Sequence, residues 1–318
     1  MSIRVESPAL ITSVQDSGRQ GFLRFGLPHS GPMDWWAFLA ANQLVGNSSV
    51  DACIEIGMSS CVLQIENEAL AAVCGAGYNL YRGQDQMPLW MSFLLCPGDR
   101  LYFEKCPGGN WVYLALAGGI QSEAWMGSRS VYPRGKLGRT LQPDDQLAIE
   151  DLPKTSRLLA GQRFPDSLQP AYSQRPLLRM INGPDGQRFE EESLEQFFCR
   201  TYHVSIQSDR MGYRLHGPSL RHIGGADVVS RGLAMGEIQV PGNGQPIVMM
   251  ADHPTAGGYT VLGSVCKTDW PLLAQAQPGQ AKIRFSPITI PEAQRSLNAI
   301  IENFDSEHTE QEDLWLNL

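Results

Sequence analysis

Glycine and proline punctuate this chain so often, 32 and 21 times in 318 residues, that few apolar runs extend far without meeting one of them. Gly costs a helix interior backbone entropy, and Pro removes an amide donor and clashes with the preceding turn, so such spacing disfavours long helices. The apolar runs that survive are short and read as strands over 61–65, 69–74, 91–95, 100–103, 111–117, 146–149, 177–182, 202–207, 238–240, 246–251 and 281–286. Between several of them sit Pro97-Gly98-Asp99, Pro107-Gly108-Gly109, Pro143-Asp144-Asp145 and Pro278-Gly279, where Pro presets φ and Gly supplies a positive one. A mainly β protein of barrels or sandwiches is expected. Helices are predicted over 34–44, where Asp34 can cap an apolar run, over the acidic segment 189–197, and over 291–304 with Pro near its first turn.

At roughly 150 residues per domain the length predicts two domains. The segment 151–175 mixes Pro, Ser, Gln and charge without periodicity, as linkers do. The expected division is 1–165, 166–290, and a C-terminal helix with an acidic tail over 291–318. Its last apolar residues, Leu314, Trp315 and Leu318, are candidates for docking.

A net charge of −8 argues against nucleic acid as a partner, because phosphate contacts need clustered cations. Apolar runs such as 111–120 fall short of the roughly 20 residues of a membrane span, and MSIRVESPAL carries charge and Pro where a signal peptide would be apolar. A cytoplasmic protein without membrane contact is expected. Seven Cys lie scattered with no C-x-x-C pair, which predicts buried reduced thiols and no zinc ribbon. No metal site is expected. Gly135-Lys136 lacks the remainder of a phosphate loop, and no H-E-x-x-H or G-x-S-x-G is present.

Three segments are dense in chemistry. The first runs from Asp16-Ser17-Gly18-Arg19 to Ser30-Gly31-Pro32-Met33-Asp34. Its uncovered N–H groups and the following helix start suit an anionic ligand, or equally an ordinary turn and cap. Beyond it, Asn42 reads with Asn47 as part of a helix end, and Glu55 as either an exposed strand residue or an inward carboxylate. The second segment, Ser208-Asp209-Arg210-Met211-Gly212-Tyr213-Arg214, holds two Arg four apart that suit a forked grip on a carboxylate or phosphate. The alternative is an ion pair between Asp209 and one of them. The third runs from Gly236-Glu237-Ile238-Gln239 to Asp252-His253-Pro254-Thr255-Ala256-Gly257-Gly258-Tyr259. There Asp252 or Glu237 can act as a base or orient one, while the plainer reading is a strand-end cap with a structural His253.

Taken together these segments resemble the family called allophanate hydrolase subunit 2, also described as biotin-dependent carboxyltransferase or KipA-like. The matching stretches include Ser30-Gly31, Met33-Asp34, Ala41-Asn42-Gln43-Leu44-Val45-Gly46-Asn47, Glu55, Ala117-Gly118-Gly119-Ile120, Ser208-Asp209-Arg210-Met211-Gly212-Tyr213-Arg214-Leu215, Ile238-Gln239-Val240-Pro241, Gly244-Gln245-Pro246 and Gly257-Gly258-Tyr259. The resemblance covers about residues 3–286 and implies two cyclophilin-like β-barrel domains with a few short helices. It implies pairing with a subunit 1 (KipI-like) protein, in one of three settings: urea carboxylase, bacterial ATP-dependent 5-oxoprolinase, or a regulator that antagonises a kinase inhibitor. The expected function is the C-type subunit of a 5-oxoprolinase, with a LamB/YcsF-type subunit and ATP in the assembled complex. Biotin enters only under the carboxyltransferase alternative.

On this resemblance Asp252, Arg210 and Arg214 are the catalytic candidates, acting on a small anionic or amide substrate. Ser30, Asp34, Asn42, Glu55, Gln239, Thr255, Gly257, Gly258 and Tyr259 are the binding candidates. The chain departs from the family pattern at Pro32, at His253, Pro254 and Ala256, and at Arg231, where an acidic residue is usual. These departures imply an altered ligand preference.

Overall fold

The computed structural model describes residues 2–150 and 154–306, so the tail beyond 306, with its docking candidates, lies outside the described residues. They group into two compact units, one of 2–19 and 30–169, the other of 20–29 and 170–306. Residues 20–29 thus belong with the second unit although they precede most of the first in sequence.

The first unit is built from β1 (Ser2–Ser7), β2 (Ile11–Gln15), β3 (Cys53–Gly57), β4 (Cys61–Ile65), β5 (Ala69–Gly75), β6 (Tyr78–Arg82), β7 (Asp85–Met87), β8 (Ser92–Leu95), β9 (Arg100–Lys105), β10 (Trp111–Leu116), β11 (Ile120–Gln121) and β12 (Gln146–Ile149). One antiparallel sheet runs β11-β12-β1-β4-β9-β6-β7 and the other β2-β3-β10-β5-β8. Both sheets contribute to one core, where Ile3, Leu63 and Phe103 of the first meet Ile54, Val73 and Leu114 of the second. Helix α1 (Trp35–Leu44) is buried nearly all round and packs on β5 and β10. A helix without a solvated face is a core element and needs no amphipathic stripe. Residues 154–169, expected as linker, instead pack on this unit. Trp36 Nε1 donates to the Leu168 carbonyl at 2.8 Å, and Phe164 meets the rings of Trp36 and Trp90 at 6.2 and 5.5 Å.

The second unit contains β13 (Leu177–Asn182), β14 (Tyr202–Val204), β15 (Gly212–His216), β16 (Asp227–Gly232), β17 (Glu237–Val240), β18 (Ile247–Met249), β19 (Ala256–Val265) and β20 (Lys282–Pro287). Their order is β13-β20-β14-β15-β18-β17-β19, and pairing of β13 with β19 closes the ring into a barrel, with β16 added on β19. Only β13 and β20 pair in parallel among these strands. Helices α2 (Glu191–Cys199), α3 (Trp270–Ala274) and α4 (Ile290–Ser306) complete the unit. Phe197 of α2 stacks on Phe285 of β20 with ring centroids 4.7 Å apart. The protein is therefore mainly β with few helices.

All seven cysteines are free; Cys53, Cys61, Cys74 and Cys266 are buried, while Cys96 and Cys199 are exposed, contrary to the expectation of uniform burial. Burial pushes the Cys61 thiol up to about 11 and those of Cys53 and Cys74 well above the ordinary range, which keeps them unreactive. No helix among the described residues is long and apolar enough to cross a membrane.

Candidate functional site

In the first unit the dense N-terminal segment holds an anion of its own. Asp16 follows β2 and is 6% exposed. Its carboxylate accepts from the N–H of Gly18 at 2.9 Å and of Arg129 at 2.5 Å, and from the hydroxyls of Ser128 at 2.6 Å and Ser130 at 2.7 Å. Arg19, buried alongside, donates to Ser30 Oγ at 3.1 Å and to the Ser130 carbonyl. Gly31 has φ +82°, and a Cβ there would lie 3.2 Å from the Asp16 carbonyl oxygen and 3.3 Å from the Gly18 nitrogen. Side-chain-free backbone lets the two loops touch. Of the N–H groups read from the sequence as an anion cradle, that of Gly18 is occupied by Asp16.

The start of α1 is satisfied in the same internal way. Asp34 accepts from the Ala37 N–H at 3.0 Å as its N-cap. Glu55 points inward, which decides between its two sequence readings, and accepts from the Met33 N–H at 2.9 Å and the Tyr113 hydroxyl at 2.7 Å. Tyr113 in turn accepts from the Asp34 N–H at 2.8 Å. Burial, reinforced by Glu55, pushes the Tyr113 hydroxyl well above its ordinary range, so it stays protonated and donates. Asn42 donates to the Asp51 carbonyl at 2.9 Å and accepts from Asn47 at 2.9 Å. Asn47 also binds the Leu116 carbonyl and the Gly118 N–H, both at 2.8 Å. Ser30, Asp34, Asn42 and Glu55 therefore all spend hydrogen bonds on holding the first unit together.

In the second unit Arg210 meets Asp252. Nε donates to one carboxylate oxygen at 2.8 Å and Nη2 to the other at 3.0 Å, with both side chains under 10% exposed. The Asp252 N–H returns to the Arg210 carbonyl at 2.8 Å. Asp209 accepts from the Met211 N–H at 2.8 Å, closing its own turn. Of the two arginines read as a forked grip, Arg210 is paired with Asp252 and Arg214 is exposed on β15. Beside Asp252, His253 is 3% exposed with Nδ1 2.8 Å from the Pro254 carbonyl. That contact places its proton on Nδ1. Burial pushes His253 below the ordinary imidazole value, and His29 nearby adds to the effect.

Strand register assembles the remaining candidates. Arg214 lies opposite Ile247, Ile247 opposite Gln239, and Gln239 opposite Val261, so these four project from one face of β15, β18, β17 and β19. Gln239 is 6% exposed and its Nε2 has no hydrogen-bond partner among the described residues; the same holds for Glu237 Oε2 on the same face. A Cβ on Gly257 would run into the Gln239 amide nitrogen and come within 2.9 Å of Leu233. Thr255 is half-buried and its carbonyl accepts from the Leu233 N–H at 3.1 Å. Gly258 faces Ser230, and Tyr259 is 42% exposed. Arg231, opposite Gly257, pairs with Asp185, which also accepts from the Val261 N–H at 2.7 Å. Burial works against the Asp185 carboxylate, but that N–H and Arg231 outweigh it and hold it below the ordinary range.

Sequence reasoning did not single out Tyr113 or Asp185. Tyr113 sits inside an apolar run whose polar partners come from other elements, so no local signal marks it. Asp185 lies in a Pro-Asp-Gly turn whose partner is 46 residues away. Among the described residues no group of three or more His, Cys, Asp or Glu is arranged to hold a metal ion.

Residues 25–287 match the model of the carboxyltransferase domain, subdomain A and B. The chain is 34% identical over 297 residues to the C-type subunit of 5-oxoprolinase from Escherichia coli (strain K12), covering 92% of this chain and 93% of that protein. The solved structure of Kluyveromyces lactis urea amidolyase superposes with a TM-score of 0.88 at 29% identity; the match covers 100% of this chain but only 20% of that one. A structure of the protein TTHA0988 superposes with a TM-score of 0.81 at 32% identity, covering 90% of this chain and 55% of that one. By the extent of the domain match and by its relatives, the chain belongs to the family of the carboxyltransferase domain, subdomain A and B.

Proposed function

We propose that the chain is the C-type subunit of an ATP-dependent 5-oxoprolinase, opening 5-oxoproline to glutamate together with a subunit 1-type and a LamB/YcsF-type partner. The observation that carries this reading is the near end-to-end correspondence with a stand-alone bacterial subunit of that name, 92% of one chain against 93% of the other. A lactam is a poor electrophile because its nitrogen donates into the carbonyl. Opening it requires polarising the carbonyl oxygen, delivering water to the carbonyl carbon and protonating the departing nitrogen. Preorganised donors toward the developing oxyanion are the usual protein contribution. Gln239 and Arg214 are the candidates here with donors to offer: Gln239 Nε2 is unpartnered, and Arg214 makes no side-chain hydrogen bond or ion pair among the described residues. Arg210 and Asp252 neutralise each other and hold the loop that leads into β19.

Of the arginines read as an anion grip, Arg210 is paired with Asp252. ATP is assigned in this reading to the assembled complex. A second reading, biotin-dependent carboxyl transfer to urea or a related amide, is favoured by the likeness to urea amidolyase over the whole chain. Gln239 Nε2 suits a ureido oxygen as well as a lactam oxygen. Hydrolysis of ATP by the assembled complex separates the two. Under the first reading 5-oxoproline stimulates it, omission of this chain removes the stimulation, and urea has no effect; stimulation by urea alone overturns it.

A further inference from the structure

Among the described residues of the second unit three buried side-chain atoms have no hydrogen-bond partner, Gln277 Oε1, Gln239 Nε2 and Glu237 Oε2, and the last two come from one face of one strand. Gln239 Nε2 and Glu237 Oε2 belong to residues two apart on β17, hence about 7 Å apart along the strand. A buried amide donor left unpaired is costly, and a ligand acceptor would recover that cost. Gly257 makes room for that amide, since a Cβ there would collide with Nε2, and Leu233 lies beside it. Burial pushes the Glu237 carboxyl above its ordinary range. Arg214 stands on the same face two strands from Gln239, across Ile247, at a Cα spacing of about 10 Å.

We propose that this face is a binding subsite for a cyclic amide bearing a carboxylate. Gln239 donates to the ring carbonyl oxygen, Glu237 accepts from the ring N–H, and Arg214 reaches over Ile247 to the carboxylate. The proposal deepens the 5-oxoprolinase reading by locating its substrate on this chain. It assigns Glu237 and Arg214 different parts of one small molecule: the first reads the amide N–H, the second the charge. A lactam offers its C=O and N–H on the same side of the ring, which an open-chain trans amide does not. That arrangement is what a neighbouring donor and acceptor on one strand face can read together.

The test is equilibrium binding to the isolated full-length chain, followed by calorimetry or NMR, with 2-pyrrolidinone, N-methyl-2-pyrrolidinone and 5-oxoproline as probes. The wild-type chain is expected to bind 2-pyrrolidinone and 5-oxoproline and to reject the N-methyl compound, which has no N–H to give. Gln239→Leu should weaken both binders by roughly threefold to tenfold, the worth of one neutral hydrogen bond. Arg214→Gln should weaken 5-oxoproline alone, and that difference should shrink as salt rises. Near-UV circular dichroism verifies that each variant is folded. If Gln239→Leu unfolds the chain, Glu237→Leu provides the same readout through the N–H. Absence of binding to the wild type, equal binding of all three lactams, or unchanged affinity in folded Gln239→Leu overturns the proposal. Because pyrrolidinone binding requires neither ATP nor partners, the outcome is separate from that of the functional reading. Binding without turnover in the complete complex would keep the subsite and sink the oxoprolinase.

Discussion

Arg210 and Asp252 illustrate how a buried ion pair constrains a site without being free to act on a ligand. Each has lost water and is compensated for that loss by the other's opposite charge. Arg210→Met is expected to cost about 3–5 kcal/mol in urea unfolding, whereas Arg210→Met combined with Asp252→Leu recovers most of that. Equal losses in the single and double variants would show that the pair is not coupled in this way. His253 makes a pH-dependent contribution of known sign. Its folded value is depressed by burial, so the unfolded chain takes up a proton at a higher pH than the folded one. Its share of stability is complete above about pH 6.5 and is lost as pH falls through the depressed value. His222 is shifted in the same direction, first by burial, and adds to the slope. Replacing His253 with Gln should flatten the fall in melting temperature between about pH 7 and about pH 5; parallel curves for wild type and variant would contradict it. Gly257→Ala tests a contact rather than a charge. It should displace the Gln239 amide and weaken lactam binding, while Gly186→Ala, with open space around its Cβ direction and no positive φ, should leave that binding unchanged.

At the scale of elements, α1 depends on polar groups supplied from β3 and β10. Tyr113→Phe removes the acceptor for the Asp34 N–H and the donor to Glu55 at once. A loss of about 1–3 kcal/mol is expected from unfolding curves, since a buried N–H and a buried carboxylate each go short of a partner. A neutral substitution would mean that the network is dispensable. This helix was also the most legible element: the range read from Asp34 and its apolar run, 34–44, differs from Trp35–Leu44 only by the cap itself. Strands 61–65, 146–149 and 177–182 were equally plain because turn residues bound them on both sides. By contrast β19 was hidden, since Ala256-Gly257-Gly258-Tyr259 has loop composition yet forms the start of a ten-residue strand. Its glycines are there to admit Gln239 and to pass close to β16, a tertiary reason that local propensity cannot express. β16 was hidden for another reason: most of it is exposed, so no apolar alternation marks it. The sequence also could not say where Arg214 points. Only register, placing it opposite Ile247 and in line with Gln239, makes it a member of the β17 face.

At the scale of the whole molecule, the candidate residues differ in which polar groups are already satisfied. Asp16, Asp34, Asn42 and Glu55 make hydrogen bonds within the loops and helix ends of the first unit, while Gln239 Nε2 and Glu237 Oε2 on one face of the second have no partner among the described residues. The sequence brought most of these to notice through their density in three segments, but only the fold divides them into spent and available groups. The central claim is that the available ones serve a lactam within a larger assembly. Its most direct test is product analysis by mass spectrometry after the chain is combined with subunit 1-type and LamB/YcsF-type partners and supplied with ATP and 5-oxoproline. The account predicts glutamate, formed only when this chain is present, and no carboxylated product when urea, bicarbonate and a biotin carrier are supplied instead. Carboxylated urea from the second mixture, with no glutamate from the first while a known 5-oxoprolinase turns over alongside, would contradict it.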